Sequence, residues 1–151
     1  ELRPQLLDRF GLSVEVTSPK DIDTRIEVIR RRDAYDRDAG GFLADWRGED
    51  MALRQRILDA RAALPNVAAG EDMLRDCAEL CVALGSDGLR GELTLLRAAR
   101  ALAAFDGADA VTRDQLRRVA PSALRHRLRR DPLDEAGSTT RVERVVEEVL
   151  A

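Results

Sequence analysis

Hydrophobic positions recur every three or four residues along most of the chain, which is the period of amphipathic helices. A short helical pattern runs from Leu2 to Phe10, with Pro4 in its first turn, where proline is tolerated, and Gly11 after it. Leu12, Val14 and Val16 then alternate with Ser13, Glu15 and Thr17, which predicts one strand. Ser18-Pro19-Lys20-Asp21 predicts a helix start, with serine as N-cap, proline next and a carboxylate in the first turn. Ile22, Ile26 and Ile29 form the apolar face of that helix, which runs to about Asp36.

Gly40-Gly41 predicts a break. A short helical turn with Phe42, Leu43 and Trp46 follows, then a long helix over Met51–Leu64 with Leu53, Ile57 and Leu64 inward, stopped near Pro65. Met73, Cys77, Leu80, Cys81 and Leu84 share one helical stripe, closed by the turn Gly85-Ser86-Asp87-Gly88. Leu89, Leu93, Leu96 and Ala103 carry the next helix to Phe105, ended by Asp106-Gly107. Thr112-Arg113-Asp114-Gln115 reads as a capping box that opens a helix with Leu116, Val119, Ala123 and Leu124 inside. Pro121 predicts a kink or break there, and Asp131-Pro132 the end. After the polar turn Asp134–Ser138, a last helix presents Val142, Val145, Val146 and Val149. The pattern makes a helical assembly whose lone strand needs partners that this chain does not offer, so a sheet is expected upstream of it.

With 44% hydrophobic and 35% charged residues over 151 positions, the chain reads as a soluble globular domain. No run approaches the ~18–20 apolar residues of a membrane span. The first residues carry neither the basic nor the apolar region of a signal peptide, so a cytoplasmic location and no membrane contact are expected. The formal net charge of −3 gives no global pull towards nucleic acid. Lys20 is the only lysine beside 24 arginines, a bias read first as a coding preference.

Candidate chemistry is sparse. No GxxxxGK[ST] and no GxGxxG occurs, and His126 is the only histidine, so neither a His-based triad nor a structural zinc site is expected. Cys77 and Cys81, one turn apart, would lie ~5–6 Å apart at Cβ, too far for the usual disulfide. They read as reduced core thiols. Seven arginines fall between Arg113 and Arg130 with no aromatic residue interleaved to stack bases. A solvated face, or a subunit contact with an acidic patch such as Glu147-Glu148, accounts for them better than nucleic-acid binding. Asp8-Arg9 closes the first helix, where an arginine is ordinarily a surface or capping cation. Arg90, in the first turn of its helix, opposes the helix dipole, a conflict that an anionic partner such as a phosphate would resolve.

Three strings are more specific. Glu1-Leu-Arg-Pro-Gln-Leu-Leu-Asp-Arg-Phe-Gly-Leu12 resembles the segment after sensor 1 in the AAA+ ATPase subunit of magnesium chelatases. Ser86-Asp-Gly-Leu-Arg-Gly-Glu-Leu93 is similar to that family's sensor-2 helix, and Arg127-Leu-Arg-Arg-Asp-Pro-Leu-Asp-Glu-Ala-Gly-Ser-Thr139 to its C-terminal signature. The resemblance runs from residue 1 to 151.

It implies a mainly α fold: an AAA+ helical lid bundle with inserted helices, preceded by the last helix and strand of the α/β core. The implied domains are the end of the core with the arginine finger (1–17), an inserted helical segment (18–66) and the lid with sensor 2 (67–151). Arg9 falls on the arginine finger and Asp8 on the residue that orients it or holds the interface. Arg90 falls on sensor 2, acting in cis or in trans. The family's small subunit binds ATP and Mg²⁺ in a hexameric ring. It works with a larger integrin-domain subunit and a porphyrin-binding catalytic subunit in an ATP-dependent, ligase-type insertion of Mg²⁺ into protoporphyrin IX for chlorophyll or bacteriochlorophyll. The Walker segments and the sensor-1 asparagine would lie upstream of Glu1, so this segment alone is expected neither to bind a cofactor nor to hydrolyse ATP. A cobalt chelatase ATPase, the ATPase-like domain of the larger subunit and a helical interaction module without a nucleotide role remain as alternatives.

Overall fold

A computed structural model describes residues 4–7, 9–86, 88–128 and 138–151. The chain divides into two compact units: residues 15–58, and the residues up to Val14 together with those from Asp59 onward.

The 15–58 unit holds α2 (Ile22–Arg37) and most of α3 (Ala39–Ala63), after the single turn α1 (Pro4–Leu7) that belongs to the other unit. Asp21, not Ser18, is the N-cap of α2: its carboxylate accepts from the Thr24 N–H and hydroxyl, each at 2.7 Å. A charged acceptor serving two donors outcompetes the serine three positions earlier. Gly40-Gly41 does not break the chain into a short turn and a later helix. The break falls at Asp38, whose Oδ1 accepts from the Gly41 N–H at 3.0 Å, and α3 then runs unbroken through the expected turn at Phe42–Trp46. A Cβ at Gly41 would collide with that carboxylate, so glycine is what lets the cap close.

Tyr35 meets Phe42 edge-on at 5.8 Å, Phe42 lies 5.9 Å from Trp46, and the Arg31 guanidinium sits 4.5 Å above the Trp46 ring. These contacts fix the α2–α3 corner. No residue of either helix is buried. The expected inward faces are therefore absent: Ile22 (67%), Ile26, Ile29, Leu53, Ile57 and Leu64 are all exposed. Period marks a face that can be buried; it does not supply the surface that buries it.

The other unit is a four-helix assembly of α4 (Glu71–Ala83), α5 (Arg90–Asp106), α6 (Arg113–Leu124) and α7 (Ser138–Val149). Its centre is Leu80, Leu84, Leu95, Leu116, Leu124, Val142 and Leu150, all fully buried. The α4 stripe is buried as its spacing predicts. In α5 the buried ridge is Gly91, Leu95, Ala99 and Ala103, while Leu89 and Leu93 are exposed. A Cβ at Gly91 would stand 3.2 Å from Cys81 Sγ and 2.8 Å from Ser86 Oγ, so a side chain there would hold α5 away from α4.

The capping box forms: Gln115 Oε1 accepts from the Thr112 N–H at 3.0 Å. Gly107, at φ 76°, ends α5 in the left-handed conformation. Helix α6 continues past Pro121 to Leu124 rather than breaking there. The expected Asp131-Pro132 stop and most of the polar turn after it lie outside the described residues.

The predicted strand at Leu12–Val16 is not present. Leu12, Val14 and Val16 are exposed, Val16 to 89%, and no strand pairs with them among the described residues. An alternating segment needs a hydrogen-bonded neighbour to become a strand. The isolated β-bridge among the described residues is parallel, between Ala68 and Ala110.

Candidate functional site

Arg9 stands just past α1, in a turn made by the Arg9 N–H donating to the Leu6 carbonyl at 3.1 Å and the Phe10 N–H to Leu7 at 3.0 Å. Its side chain is exposed. A four-residue helix has too few hydrogen bonds to hold itself in place. The turn is instead anchored from α6 and the residues after it. The Phe10 carbonyl accepts from His126 Nε2 at 2.9 Å and from Arg127 Nη2 at 2.8 Å. A carbonyl can only accept, so Nε2 carries the histidine proton in this contact. The Ser13 N–H donates to the Ser122 carbonyl at 2.8 Å.

Arg90 is the first residue of α5 and is exposed. The turn before it contains Gly85 (φ 68°) and Gly88 (φ 72°), both in the left-handed conformation that favours glycine. The close seat of Gly91 then fixes the start of the helix on the bundle. One turn beyond Arg90, Thr94 Oγ1 lies 3.5 Å from Arg127 Nη2. The Arg9 turn and the Arg90 helix are therefore linked through a single guanidinium. Asp8 lies outside the described residues.

Four of the arginines after position 112 are committed within the unit. Arg113 grips the buried Asp76 at 2.8 and 3.2 Å, Arg117 donates to the Leu150 carbonyl, and Arg118 pairs with Asp106 at 2.6 Å. Arg127 completes the set, with its Nε donating to the Ala123 carbonyl at 3.0 Å. Structural ties thus absorb much of what the sequence offers as a basic face.

Cys77 and Cys81 are free and buried. Burial first, and nearby carboxylates second, push the Cys77 thiol up to about 11 and the Cys81 thiol to about 12. At neutral pH both stay protonated, so neither is a nucleophile or a metal ligand in this state. Among the described residues no group of three or more His, Cys, Asp or Glu side chains could hold a metal ion. No helix among them is long and apolar enough to cross a membrane.

A family model of the AAA lid domain matches residues 74–149, which spans α4 to α7. The chain belongs to the AAA lid domain family. It is 71% identical over 150 residues to the magnesium-chelatase 38 kDa subunit of Cereibacter sphaeroides, covering 99% of this chain and 45% of that protein. The corresponding subunit of Rhodobacter capsulatus is 70% identical, with 99% and 43% covered. The magnesium-chelatase subunit ChlI of Cyanophora paradoxa is 42% identical over 151 residues, with 100% and 44% covered. The chain thus spans less than half the length of these relatives. A crystal structure from Cytophaga hutchinsonii, described as that of a candidate ATPase, superposes with a TM-score of 0.72 over 97% of this chain and 48% of that one. At 18% identity it bears on the fold alone.

Sequence reasoning missed Thr94, His126 and Arg127 as parts of the site. The lone histidine among arginines was a weak signal, and Arg127 opens the third family-like string. Nothing in the spacing pairs either with Phe10, more than a hundred positions away.

Proposed function

We propose that this chain is the C-terminal portion of the ATP-hydrolysing motor subunit of a magnesium chelatase. The observation that carries the reading is the 71% identity over 99% of the chain to a protein bearing that name. In this reading the longer protein uses ATP and Mg²⁺ and assembles as a hexameric ring. It works with a larger integrin-domain subunit and, indirectly, a porphyrin-binding subunit. The ion inserted into protoporphyrin IX is the substrate, and the setting is the cytoplasm.

Residues 1–17 would complete the α/β core, 18–66 form an inserted helical segment and 67–151 form the lid. Arg9 is the arginine finger. Its exposed guanidinium, on a turn rather than in the core, fits a role on phosphate held by a neighbouring protomer. A planar, permanently charged fork neutralises charge developing on the transferred phosphoryl group, which lysine does poorly. Arg90 is sensor 2. Its position at the exposed start of a 17-residue helix puts a cation beside backbone N–H groups that also favour phosphate. Asp8 orients the finger or holds the interface. When bound, Mg²⁺-ATP supplies the phosphoryl group, and the residues of this chain contribute charge and position to it.

The test uses the full-length protein with the larger and the porphyrin-binding chelatase subunits. With ATP, Mg²⁺ and protoporphyrin IX, the fluorescence of the magnesium porphyrin should appear only when the protein is present. Insertion of Co²⁺ but not Mg²⁺ would move the assignment to a cobalt chelatase. Failure with both metals would favour an interaction module.

A further inference from the structure

Resting on the reading of Arg9 and Arg90 above, we propose that Arg127 is a positioning residue. With His126 as a second donor, it ties the Arg9 turn to the Arg90 helix so that a shift of one is transmitted to the other. The bridge would couple the arginine that senses nucleotide to the arginine that reaches the neighbouring protomer.

Three observations meet at one atom group. Arg127 Nη2 donates to the Phe10 carbonyl at 2.8 Å and lies 3.5 Å from Thr94 Oγ1. His126 Nε2 takes up the second acceptor site of the same carbonyl at 2.9 Å. Arg127 Nε is held by the Ala123 carbonyl at 3.0 Å, which fixes the plane of the guanidinium. The bond to Phe10 is charge-assisted and therefore among the stronger kinds. The segment also lies near α5: a Cβ at Gly11 would stand 4.0 Å from the Thr94 methyl.

Core burial does not explain this arrangement. Phe10 is 55% exposed, and the buried centre of the bundle contains neither Phe10, Thr94, His126 nor Arg127. What the contacts do fix is the Phe10–Gly11 peptide, one residue past Arg9. Thr94 is one helical turn from Arg90, so the bridge reaches the same stretch of α5 that carries sensor 2. Planar geometry matters here, because a lysine ammonium could serve the carbonyl but could not hold the fixed fork between Ala123, Phe10 and Thr94.

The experiment measures ATP turnover by the full-length protein carrying Arg127→Ala, Arg127→Lys or Thr94→Val, each with and without Arg9→Ala. Arg127→Ala should lower kcat roughly ten- to a hundredfold with KM for ATP little changed, as expected when a reacting group is misplaced rather than removed. Arg127→Lys should recover part of the loss, and Thr94→Val should lower kcat more mildly with Tm unchanged. In the Arg9→Ala background, Arg127→Ala should add almost nothing, because the two act as one unit. If Arg9→Ala alone left turnover intact, the finger reading itself would fail. If Arg9→Ala lost turnover while folded Arg127→Ala kept the wild-type kcat, the positioning role would be overturned and the finger would stand. Should Arg127→Ala not fold, wild-type kcat in both Arg127→Lys and Thr94→Val would overturn it equally.

Discussion

Asp76 and Arg113, 37 positions apart, form a two-point contact in which Nε and Nη2 of the guanidinium reach the two carboxylate oxygens at 2.8 and 3.2 Å. Asp76 is only 3% exposed, whereas the Arg113 side chain reaches solvent at 45%. The contact joins the middle of α4 to the first turn of α6, and the carboxylate beside it holds the Arg113 guanidinium above its usual range. Arg113 Nη1 also donates to the Ala151 carbonyl at 3.3 Å, so the same side chain gathers the end of the chain.

Removing Arg113 strands a buried carboxylate, which costs more than the pair contributes when intact. Arg113→Ala should lower Tm by several degrees. An apolar replacement of both partners, Asp76→Leu with Arg113→Met, should recover much of that loss. Thermal unfolding of the single and double variants checks this. A double variant less stable than Arg113→Ala would contradict it.

The register of α5 gives a sharper contrast. Leu95, which lies outside the Leu89, Leu93, Leu96 and Ala103 spacing read from the sequence, is fully buried, whereas Leu93 within that spacing is 48% exposed. Leu95→Ala should cost about 2–5 kcal/mol, the range for a buried leucine. Leu93→Ala should cost about 0.5 kcal/mol or less, as for most surface changes. Urea unfolding of the two variants decides between this register and one with Leu93 inside.

The two cysteines contribute a pH dependence on the alkaline side. Their folded-state values, about 11 for Cys77 and about 12 for Cys81, lie above the ordinary 9.0. The folded state therefore holds both protons more tightly than the unfolded chain. That stabilisation is fully present below pH 9.0 and is lost as pH rises through about 11 and about 12. Stability to urea should fall more steeply over this window in wild type than in a Cys77→Ala/Cys81→Ala variant. At neutral pH an aromatic disulfide reagent should label neither thiol in the native protein and both in denaturant.

What the sequence makes legible follows from what leaves a local period. The α4 stripe and the valines of α7 repeat at helical spacing and the Thr112–Gln115 capping box marks a helix start, so the helices were readable from them, while the lid followed only from the resemblance of the three longer strings. Leu12, Val14 and Val16 alternate equally well, yet a strand is a property of two segments and no partner strand is present among the described residues. The isoleucines of α2 likewise keep the helical period, yet no residue of that helix is buried. In α5 the leucine spacing predicts Leu89 and Leu93 inward, but close packing selects the smaller ridge of Gly91, Ala99 and Ala103 around Leu95. The seat of Phe10 on His126 and Arg127 was not legible at all. A side chain meeting one distant carbonyl leaves no period, cap or turn signal behind.

The proposed action of Arg9 across a protomer interface can be read out by mixing subunits. Full-length Arg9→Ala protein is titrated into wild type at fixed total concentration, with assembly and nucleotide binding checked in parallel. Arg9→Ala rings should assemble and bind ATP but lose turnover by roughly a thousandfold or more. In the mixtures, activity should depart from the wild-type fraction, because each altered subunit disables a neighbour's site. Wild-type turnover by assemblies made only of Arg9→Ala subunits would contradict it.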